Sequence, residues 1–254
     1  MKLKFLGTGT SQGVPVIGSH HPVCLSTNPK DKRLRSSVLI TSDSDKKILI
    51  DCGPDFRQQM LANHEENVDA VLITHEHNDH IIGLDDLRPL IFKNGKDMPI
   101  YCKDRVGNEI KIRFPYAFSE VRYPGAPSFE LHSVKNILDI EGVKITPLEV
   151  MHGHLPILGY RIKDLAYITD ANAIEVATLE SLKYLDVLIL NALRKEREHH
   201  SHYILPQALE VVAYLKPKKA YFTHISHDLG FHDEVESELP YNLHLAYDGL
   251  EIEF

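Results

Sequence analysis

The sequence lacks a long apolar run and contains little cysteine. A membrane-spanning helix needs about 20 consecutive apolar residues, and no apolar run in the 254-residue chain approaches that length. The cysteines (Cys24, Cys52 and Cys102) are an odd number at scattered positions, which argues against a disulfide framework and favours a reducing compartment. Residues 1–5 alternate like a strand and are too short for a signal peptide. We therefore expect a cytoplasmic protein without a membrane partner.

An excess of positive charge is also absent. Lys and Arg number 28 against 36 Asp and Glu, so the formal net charge is −8 with histidine neutral. Proteins that bind the phosphate backbone of nucleic acids are usually basic, so a nucleic-acid partner is not expected. Apolar residues make up 43% of the chain, which is enough for a full core in one α/β domain. Because no repeat, low-complexity tract or linker divides it, the sequence predicts a single domain over residues 1–254.

Short apolar runs of strand length alternate with segments of helical periodicity. Strands are predicted at residues 2–8, 38–41, 47–50, 70–73, 98–102, 143–150, 159–162, 166–169, 187–190, 220–223, 243–246 and 249–253. Helices are predicted near residues 55–63, 84–93, 104–113, 174–184, 205–215 and 234–239. Residues 114–136 show little periodicity and are interpreted as an irregular insertion. The alternation fits a sandwich of two mixed sheets covered by helices, and equally one doubly wound sheet.

Histidine, in contrast, is abundant, with 16 residues in the chain. A short stretch after the apolar strand 70–73 contains His75, His77, Asp79 and His80. On a helix these side chains would point in different directions, whereas in a loop that leaves a strand they can converge on one point. Imidazole suits zinc, iron or manganese, and a mixed set of imidazoles and a carboxylate is typical of a catalytic rather than a closed structural site.

The same arrangement recurs downstream, where residues of ligand type again follow apolar runs. These residues are His152, Asp170, His202 and His224. Each one, taken singly, is more often a turn residue with satisfied hydrogen bonds than a ligand or a catalytic group. Their significance depends on their order after the first cluster.

The motif His75-x-His77-x-Asp79-His80 resembles the signature of the metallo-β-lactamase superfamily of binuclear metal hydrolases. The downstream residues match the order of that superfamily, with a histidine, then an aspartate, then a last histidine. The resemblance implies an α/β fold, a four-layer αββα sandwich of two mixed β-sheets flanked by helices. It also implies that both sheets end at one metal-bearing edge, and it therefore favours the sandwich over the single sheet.

The resemblance further implies roles around two divalent metal ions, zinc or manganese. One ion is held by His75, His77 and His152, the second by Asp79, His80 and His224, and Asp170 bridges the two. Two adjacent dications lower the pKa of a shared water, so that a metal-bridging hydroxide forms near neutral pH, and they clamp the oxygens of a phosphoryl group. Asp79 thereby counts as a catalytic residue as well. His154 is a rival of His152 for the same ligand position.

Three more motifs narrow the resemblance to a branch of cyclic phosphodiesterases, whose namesake is the phosphoribosyl cyclic phosphate phosphodiesterase of the carbon–phosphorus lyase pathway. They lie at residues 7–15, 50–57 and 223–227. The glycine-rich turn in the first motif lacks the Lys-Ser/Thr ending of a Walker phosphate-binding loop. The branch implies hydrolysis of a small cyclic phosphate or a nucleotide-like phosphodiester.

In that branch, a histidine six residues before an Ala-Leu pair assists catalysis. Here that residue is His202, which precedes Ala208-Leu209. A cationic imidazole at this position binds a phosphate oxygen or protonates the leaving alkoxide, and His200 is its nearest competitor. Asp51 matches an aspartate at the end of an early strand. It either orients a ligand histidine or the metal loop, or is a plain turn residue.

Members of the branch often carry an additional structural zinc, held by a Cys-x-Cys-x-x-Cys run and a later histidine. In this sequence Ser19 and His21 stand at the first two cysteine positions, and only Cys24 is kept. His227 matches the later histidine. His21, Cys24 and His227 therefore supply three zinc ligands. The fourth is missing or comes from elsewhere, for example from His20.

Other functions use the same fold and remain open from the sequence. A tRNA 3′-processing nuclease is one alternative, because Gly-Tyr-Arg at residues 159–161 resembles that branch, although the acidic charge and the lack of a basic arm disfavour it. A thioester or lactone hydrolase is another. A non-enzymatic metal-binding protein is disfavoured by the complete ligand set. The expected partner is a small phosphodiester substrate, and a homodimer is compatible with the sequence.

Overall fold

Two seven-stranded β-sheets form the centre of the protein. The structure is a computed structural model that describes residues 1–121 and 123–254, so residue 122 of the predicted insertion lies outside the described residues. The strands of the first sheet are β1 (Lys2–Gly7), β2 (Ser37–Thr41), β3 (Lys47–Ile50), β4 (Ala70–Leu72), β5 (Met98–Cys102), β6 (Phe129–Ser133) and β14 (Glu251–Glu253). Those of the second are β7 (Leu138–Ile140), β8 (Val143–His152), β9 (Leu155–Ile162), β10 (Leu165–Ile168), β11 (Val187–Asn191), β12 (Lys219–Thr223) and β13 (Leu243–Leu245).

Both sheets are mixed. Their spatial orders are β14-β1-β2-β3-β4-β5-β6 and β13-β12-β11-β10-β9-β8-β7. In the first sheet β14, β1, β2 and β3 pair antiparallel, and β3 to β6 run parallel. In the second sheet β7 to β10 pair antiparallel, and β10 to β13 run parallel. The carboxyl ends of parallel strands lie at one edge of a sheet, and the loops that leave there carry the residues of ligand type.

Helices cover the outer faces of the sheets. They are α1 (Pro22–Leu25), α2 (Phe56–Ala62), α3 (Asn78–Ile81), α4 (Arg88–Asn94), α5 (Asp104–Arg113), α6 (Val176–Ser181), α7 (Leu205–Leu215) and α8 (His232–Glu238). Helices α2 and α5 share an apolar cluster with the outer face of the first sheet. Helices α7 and α8 share another with the second sheet. None of the helices in the described part of the chain is long and apolar enough to cross a membrane.

The central core lies between the two sheets. Leu3 and Phe5 of the first sheet belong to the same buried cluster as Tyr160 and Tyr167 of the second sheet. Burial of apolar surface in this layer contributes about 25 cal/mol per Å² to folding. The order of layers is therefore helix, sheet, sheet, helix. This confirms the predicted αββα sandwich of two mixed sheets and excludes the single doubly wound sheet.

Some local predictions differ from the structure. The predicted helix 84–93 is a 3-10 segment, Ile82–Leu87, followed by α4, because Pro89 lacks an N–H and suits the start of a helix rather than its interior. Part of the predicted irregular insertion forms the edge strand β6. Its alternating sequence Phe-Glu-Leu-His-Ser is typical of a half-exposed strand, but the preceding Pro124, Gly125 and Pro127 concealed it.

Candidate metal centre

The ends of five strands bring the predicted site residues to one edge of the sandwich. Asp51 follows β3, Asp170 lies just beyond β10, and His224 directly follows β12. These three residues have φ angles of 63°, 61° and 55°, in a left-handed region that residues other than glycine seldom adopt and in which Asn, Asp and His are enriched. His75 lies beyond β4, and His152 is the last residue of β8. The sharp turns at the strand ends direct these side chains toward a common centre.

One group consists of the imidazoles of His75, His77 and His152, whose ligand atoms lie within 4.8 Å of one another. His75 Nε2 is 3.0 Å from His77 Nδ1, close to the separation of about 3.3 Å expected for two nitrogens on one tetrahedral zinc. His152 Nδ1 faces the carbonyl oxygens of Asp170 at 2.7 Å and Ser201 at 2.9 Å. Because a carbonyl only accepts, Nδ1 carries the proton and Nε2 keeps the free lone pair that a metal requires.

A second group consists of Asp79, His80, Asp170 and His224. His80 Nε2 is 3.3 Å from Asp79 Oδ2 and 3.5 Å from Asp170 Oδ1. Asp170 Oδ2 is 3.1 Å from His224 Nε2 and 4.0 Å from His75 Nε2 of the first group. The Asp170 carboxylate therefore lies between the two groups, which is the position that the resemblance assigned to a bridging ligand.

The close packing of carboxylates and imidazoles shifts the pKa values of this second group. Burial by itself would raise the pKa of Asp79 and of Asp170. The charge of His80 outweighs this effect at Asp79, and the charges of His224 and His80 outweigh it at Asp170, so both pKa values lie below the ordinary range. Burial lowers the pKa of His80, yet the carboxylates around it raise that pKa well above its usual value. A divalent cation would displace the additional proton of His80, because a histidine that binds a metal must be neutral.

Asp51 contacts a histidine of the second group directly and one of the first group through Thr74. Its Oδ1 accepts a hydrogen bond from Thr74 N at 2.8 Å, and its Oδ2 accepts one from Thr74 Oγ1 at 2.9 Å. Oδ2 also lies 2.7 Å from His80 Nδ1, and Thr74 Oγ1 lies 3.0 Å from His75 Nδ1. One fully buried carboxylate thus orients a histidine of each group, with the Nε2 atoms turned toward the centre. Of the two interpretations of Asp51, the contacts support the orienting one.

The donor atoms fit a pair of divalent ions. Among the described residues, the buried nitrogens His80 Nε2, His224 Nδ1 and His224 Nε2 have no hydrogen-bond partner, and His224 Nε2 lies 3.1 Å from Asp170 Oδ2. A buried polar atom without a partner is costly. A metal ion at this point would satisfy His80 Nε2 and His224 Nε2, and the imidazole and carboxylate donors suit zinc or manganese.

His202 lies at the mouth of the same centre. Its ring stacks on His224 at a centroid distance of 4.7 Å and lies 4.7 Å from the ring of His152. Its buried Nδ1 is 3.9 Å from Asp170 Oδ2 and has no hydrogen-bond partner among the described residues. Burial, followed by the charge of nearby His224, lowers the pKa of His202 to about 2. This shift favours a neutral ring at neutral pH, whereas the resemblance implied a cationic imidazole; the catalytic role of His202 stays a prediction.

His202 is also near enough to serve as a ligand. A third group of ligand atoms within 4.8 Å of one another comprises His152, Asp170 and His202. The rivals proposed from the sequence lie elsewhere: His154 and His200 are exposed and line a cavity beside the first group. Neither belongs to a group of ligand atoms in the described part of the chain.

The expected structural zinc site is only partly assembled. The rings of His21 and His227 meet edge to face with centroids 4.9 Å apart. Cys24 is buried in an apolar cluster with Val14 and Val23, and His21 caps α1 by accepting a hydrogen bond from Val23 N. Within the described residues, these three side chains do not form a group with ligand atoms inside 4.8 Å of one another. Occupancy of this site by zinc therefore stays a prediction.

Three threonines beside the ligands were not predicted from the sequence. Thr74, Thr169 and Thr223 immediately precede His75, Asp170 and His224, and all three threonines are buried. Thr169 Oγ1 donates a hydrogen bond to Asp170 Oδ1 at 2.6 Å. A threonine directly before His75, Asp170 and His224 is the signal in the sequence that would have identified these residues, of which Thr74 and Thr169 contact the site.

Comparison with known proteins agrees with this geometry. A model of the β-lactamase superfamily domain matches residues 46–225. A crystal structure described as a new diphosphatase from the PhnP family is 42% identical, has a TM-score of 0.92, and is matched over 100% of this chain and 97% of its own. Zinc-bound PqqB from Methylobacterium extorquens, 17% identical with a TM-score of 0.79, covers 100% of both chains and shares the fold.

A curated relative of different description is an octanoyltransferase from Porphyromonas gingivalis, which is 42% identical over 253 residues. The match covers 99% of this chain and 51% of that protein. The chain spans about half the length of the curated relatives that it matches. On the match over residues 46–225 and the 42% identity to a PhnP-family structure along its whole length, this chain belongs to the metallo-β-lactamase superfamily of metal-dependent hydrolases, as its histidine motif predicted.

Proposed function

We propose that this protein is a binuclear metal-dependent phosphodiesterase that hydrolyses a small cyclic phosphate or a nucleotide-like phosphodiester. The observation that carries the proposal is the position of Asp170, whose two carboxylate oxygens lie between two adjacent groups of ligand atoms. Two neighbouring metal positions suit in-line displacement at phosphorus. The 42% identity to a structure described as a diphosphatase supports the same chemistry.

The residues that would hold the ions are those of the two groups. The first position would use His75, His77 and His152, the second would use Asp79, His80 and His224, and Asp170 would contact both. When bound, the ions would supply a nucleophile at neutral pH and neutralise charge on the phosphoryl oxygens. We propose that the two ions are zinc or manganese. An additional zinc held by His21, Cys24 and His227 is part of the same proposal.

The protein's own groups would orient the substrate and move the proton. Asp51 and the Asp170 and Ser201 carbonyls hold the histidines with their lone pairs toward the centre. His202, neutral and beside Asp170, would place an imidazole N–H or lone pair against the substrate at the mouth of the site. A neutral imidazole can donate a hydrogen bond to the leaving oxygen or relay a proton to it.

A second candidate is hydrolysis of a thioester or another acyl compound. The observation that favours it is the 42% identity to the P. gingivalis protein named octanoyltransferase. That protein is about twice as long as the matched segment, since the match covers 51% of it, so the named activity can belong to the part without a counterpart here. We rank this candidate second.

The test is a panel of substrates with the protein loaded with zinc or with manganese. We expect hydrolysis of bis(p-nitrophenyl) phosphate and of small cyclic phosphates, and little cleavage of precursor tRNA or of an octanoyl thioester. The Asp170→Asn variant should lose phosphodiester hydrolysis. The matched control, His132→Ala on strand β6, should keep it. Efficient thioester cleavage without phosphodiester cleavage would reverse the ranking, and specific tRNA cleavage at physiological salt would point to the nuclease.

A further inference from the structure

The turn that carries Asp170 has a backbone conformation that its surroundings must enforce. Asp170 lies two residues beyond β10 and has a φ of 61°, in the left-handed region that residues other than glycine seldom adopt. Such a conformation costs energy and persists only where neighbouring groups hold the chain in it. The next residue, Ala171, makes the contacts that hold this turn.

Both backbone polar groups of Ala171 are bound by one side chain, that of Asn191. Ala171 N donates a hydrogen bond to Asn191 Oδ1 at 2.7 Å, and Asn191 Nδ2 donates one to Ala171 O at 3.0 Å. Because a backbone amide only donates and a carbonyl only accepts, these contacts define the orientation of the carboxamide. Asn191 and Ala171 are both fully buried, so bulk water does not compete for the two hydrogen bonds.

The position of Asn191 in the sheet explains why a side chain takes this place. Strands β10 and β11 pair in parallel up to Ile168 and Leu190. Beyond Ile168 the first of these chains turns away toward the metal centre, whereas Asn191 is the last residue of β11. Buried backbone groups in proteins are nearly always paired. The carboxamide of Asn191 therefore supplies the hydrogen bonds that strand pairing no longer provides.

We propose that Asn191 is a positioning residue of the metal centre, which holds Asp170 at its place between the two groups of ligand atoms and fixes the orientation of His152. The role rests on the proposed binuclear site, because that site makes Asp170 a bridging ligand. Since Ala171 occupies both polar atoms of the carboxamide, Asn191 acts through these residues and not on a substrate.

The hydrogen bonds around Ala171 carry the effect as far as His152. The carbonyl oxygens of Asp170 and Ser201 lie 2.7 and 2.9 Å from His152 Nδ1. Asp170 directly precedes Ala171, and Ala171 O also accepts a hydrogen bond from Tyr203 N at 2.7 Å, two residues after Ser201. Both carbonyls that keep the proton on Nδ1 therefore belong to segments that are attached to Ala171. Without the carboxamide, both segments can move.

The test replaces the carboxamide and measures zinc binding by competition with a chromophoric chelator. Asn191→Ala should weaken zinc binding by about 10- to 100-fold, the usual effect of removing a group that orients metal ligands. The matched control is Leu215→Ala, because Leu215 is fully buried at the end of α7 and bonds to Tyr184 N at the opposite end of β11 from Asn191. Leu215→Ala should lower the urea midpoint and keep the zinc affinity. Equal losses of zinc affinity in both variants, or none in Asn191→Ala, would overturn the inference.

Two measurements on the metal-free protein do not depend on zinc or on turnover. In mildly alkaline buffer, ¹⁵N NMR should find the His152 proton on Nδ1 in the wild type and on either nitrogen in Asn191→Ala, with the signals of His132 unchanged. An unchanged His152 tautomer in the variant would contradict the positioning role.

Hydrogen exchange of the wild type keeps the inference testable even if Asn191→Ala does not fold. The Ala171 amide should exchange as slowly as the amides of β10, because it is buried and bonded to Asn191. Exchange as fast as in exposed loops would refute the proposal. If the metal-free measurements agree with it but the zinc-loaded wild type hydrolyses no phosphodiester, the positioning role stands and the proposed activity fails.

Discussion

Replacing Asp51 with Asn should weaken metal binding although Asp51 would not touch a metal. The substitution keeps the shape of the side chain, and Asn tolerates the left-handed backbone at this position, φ 63°, as well as Asp does. The amide oxygen would keep the hydrogen bond from Thr74 N, which places the NH₂ group against His80 Nδ1. Because two donors cannot face each other, His80 would move its proton from Nδ1 to Nε2, the atom that a metal needs.

The same NH₂ group would face Thr74 Oγ1, which now donates to Asp51 Oδ2 at 2.9 Å. Thr74 would turn its hydroxyl hydrogen toward His75 Nδ1 and favour the wrong tautomer there too. The lost charge-assisted hydrogen bond at His80, 2.7 Å long, is of a type worth about 1.5–3 kcal/mol. This corresponds to roughly a 10- to 100-fold loss of affinity, the usual effect of removing a group that orients a ligand.

The measurement is competition with a chromophoric chelator, combined with elemental analysis and ¹⁵N NMR of the imidazoles in the metal-free protein. A matched control is Asp248→Asn, a half-buried carboxylate, which accepts hydrogen bonds from Thr8 Oγ1 and Leu34 N rather than contacting a ligand histidine. Asp248→Asn should keep the metal affinity of the wild type. Unchanged affinity and an unchanged His80 tautomer in a folded Asp51→Asn variant would refute the proposed orienting role.

Three further predictions concern the centre and a buried histidine. Elemental analysis should find two metals per chain, Asp79→Ala removing mainly one and His75→Ala mainly the other; unchanged contents in both variants would contradict the ligand assignment. His202→Ala should keep both metals and lower turnover by roughly 10²–10⁴-fold, less for p-nitrophenolate than for an alkoxide leaving group, whereas a loss of metal would make His202 a ligand. Burial and the charge of Arg33 lower the pKa of His232 from 6.5 to about 4. The unfolded chain therefore binds more protons than the folded protein at mildly acidic pH, and the free energy of unfolding should decrease by about 2 kcal/mol as the pH is lowered from 7.5 to 5. Urea unfolding at both pH values should show that His232→Gln removes this decrease. If the free energy of unfolding changes equally with pH in the variant and the wild type, His232 is not its source.

Chemistry that depends on residue type could be predicted from the sequence. His75, His77, Asp79 and His80 are ligand-type residues placed directly after a buried strand, and their spacing is uncommon for any other purpose. The four strands that precede the downstream residues were recognisable because a short apolar run between polar turns is typical of a buried strand. The resemblance of this motif to the metallo-β-lactamase superfamily is why the αββα sandwich was predicted, and the two sheets and the family match confirm the fold and the superfamily.

Choices between nearby histidines needed the tertiary structure. His152 and His154 are equivalent in a sequence pattern, but only His152 reaches the carbonyl oxygens of Asp170 and Ser201, which fix its tautomer. His154 faces the cavity instead. The alternation of a strand specifies which face a side chain occupies, but not which other strand end lies opposite it.

The sequence by itself determined most strands and the set of candidate ligands, because these follow from residue type, spacing and local periodicity. Through the resemblance of its histidine motif, it also indicated the superfamily and the layered fold. The tertiary structure decided how the candidates are combined. It placed Asp170 between two groups, brought Asp51 against His80 and, through Thr74, His75, and buried His202, which lowers the pKa of its imidazole. These properties depend on distances between residues far apart in the chain and on exclusion of water. Packing of the two sheets sets both, and no local pattern encodes either.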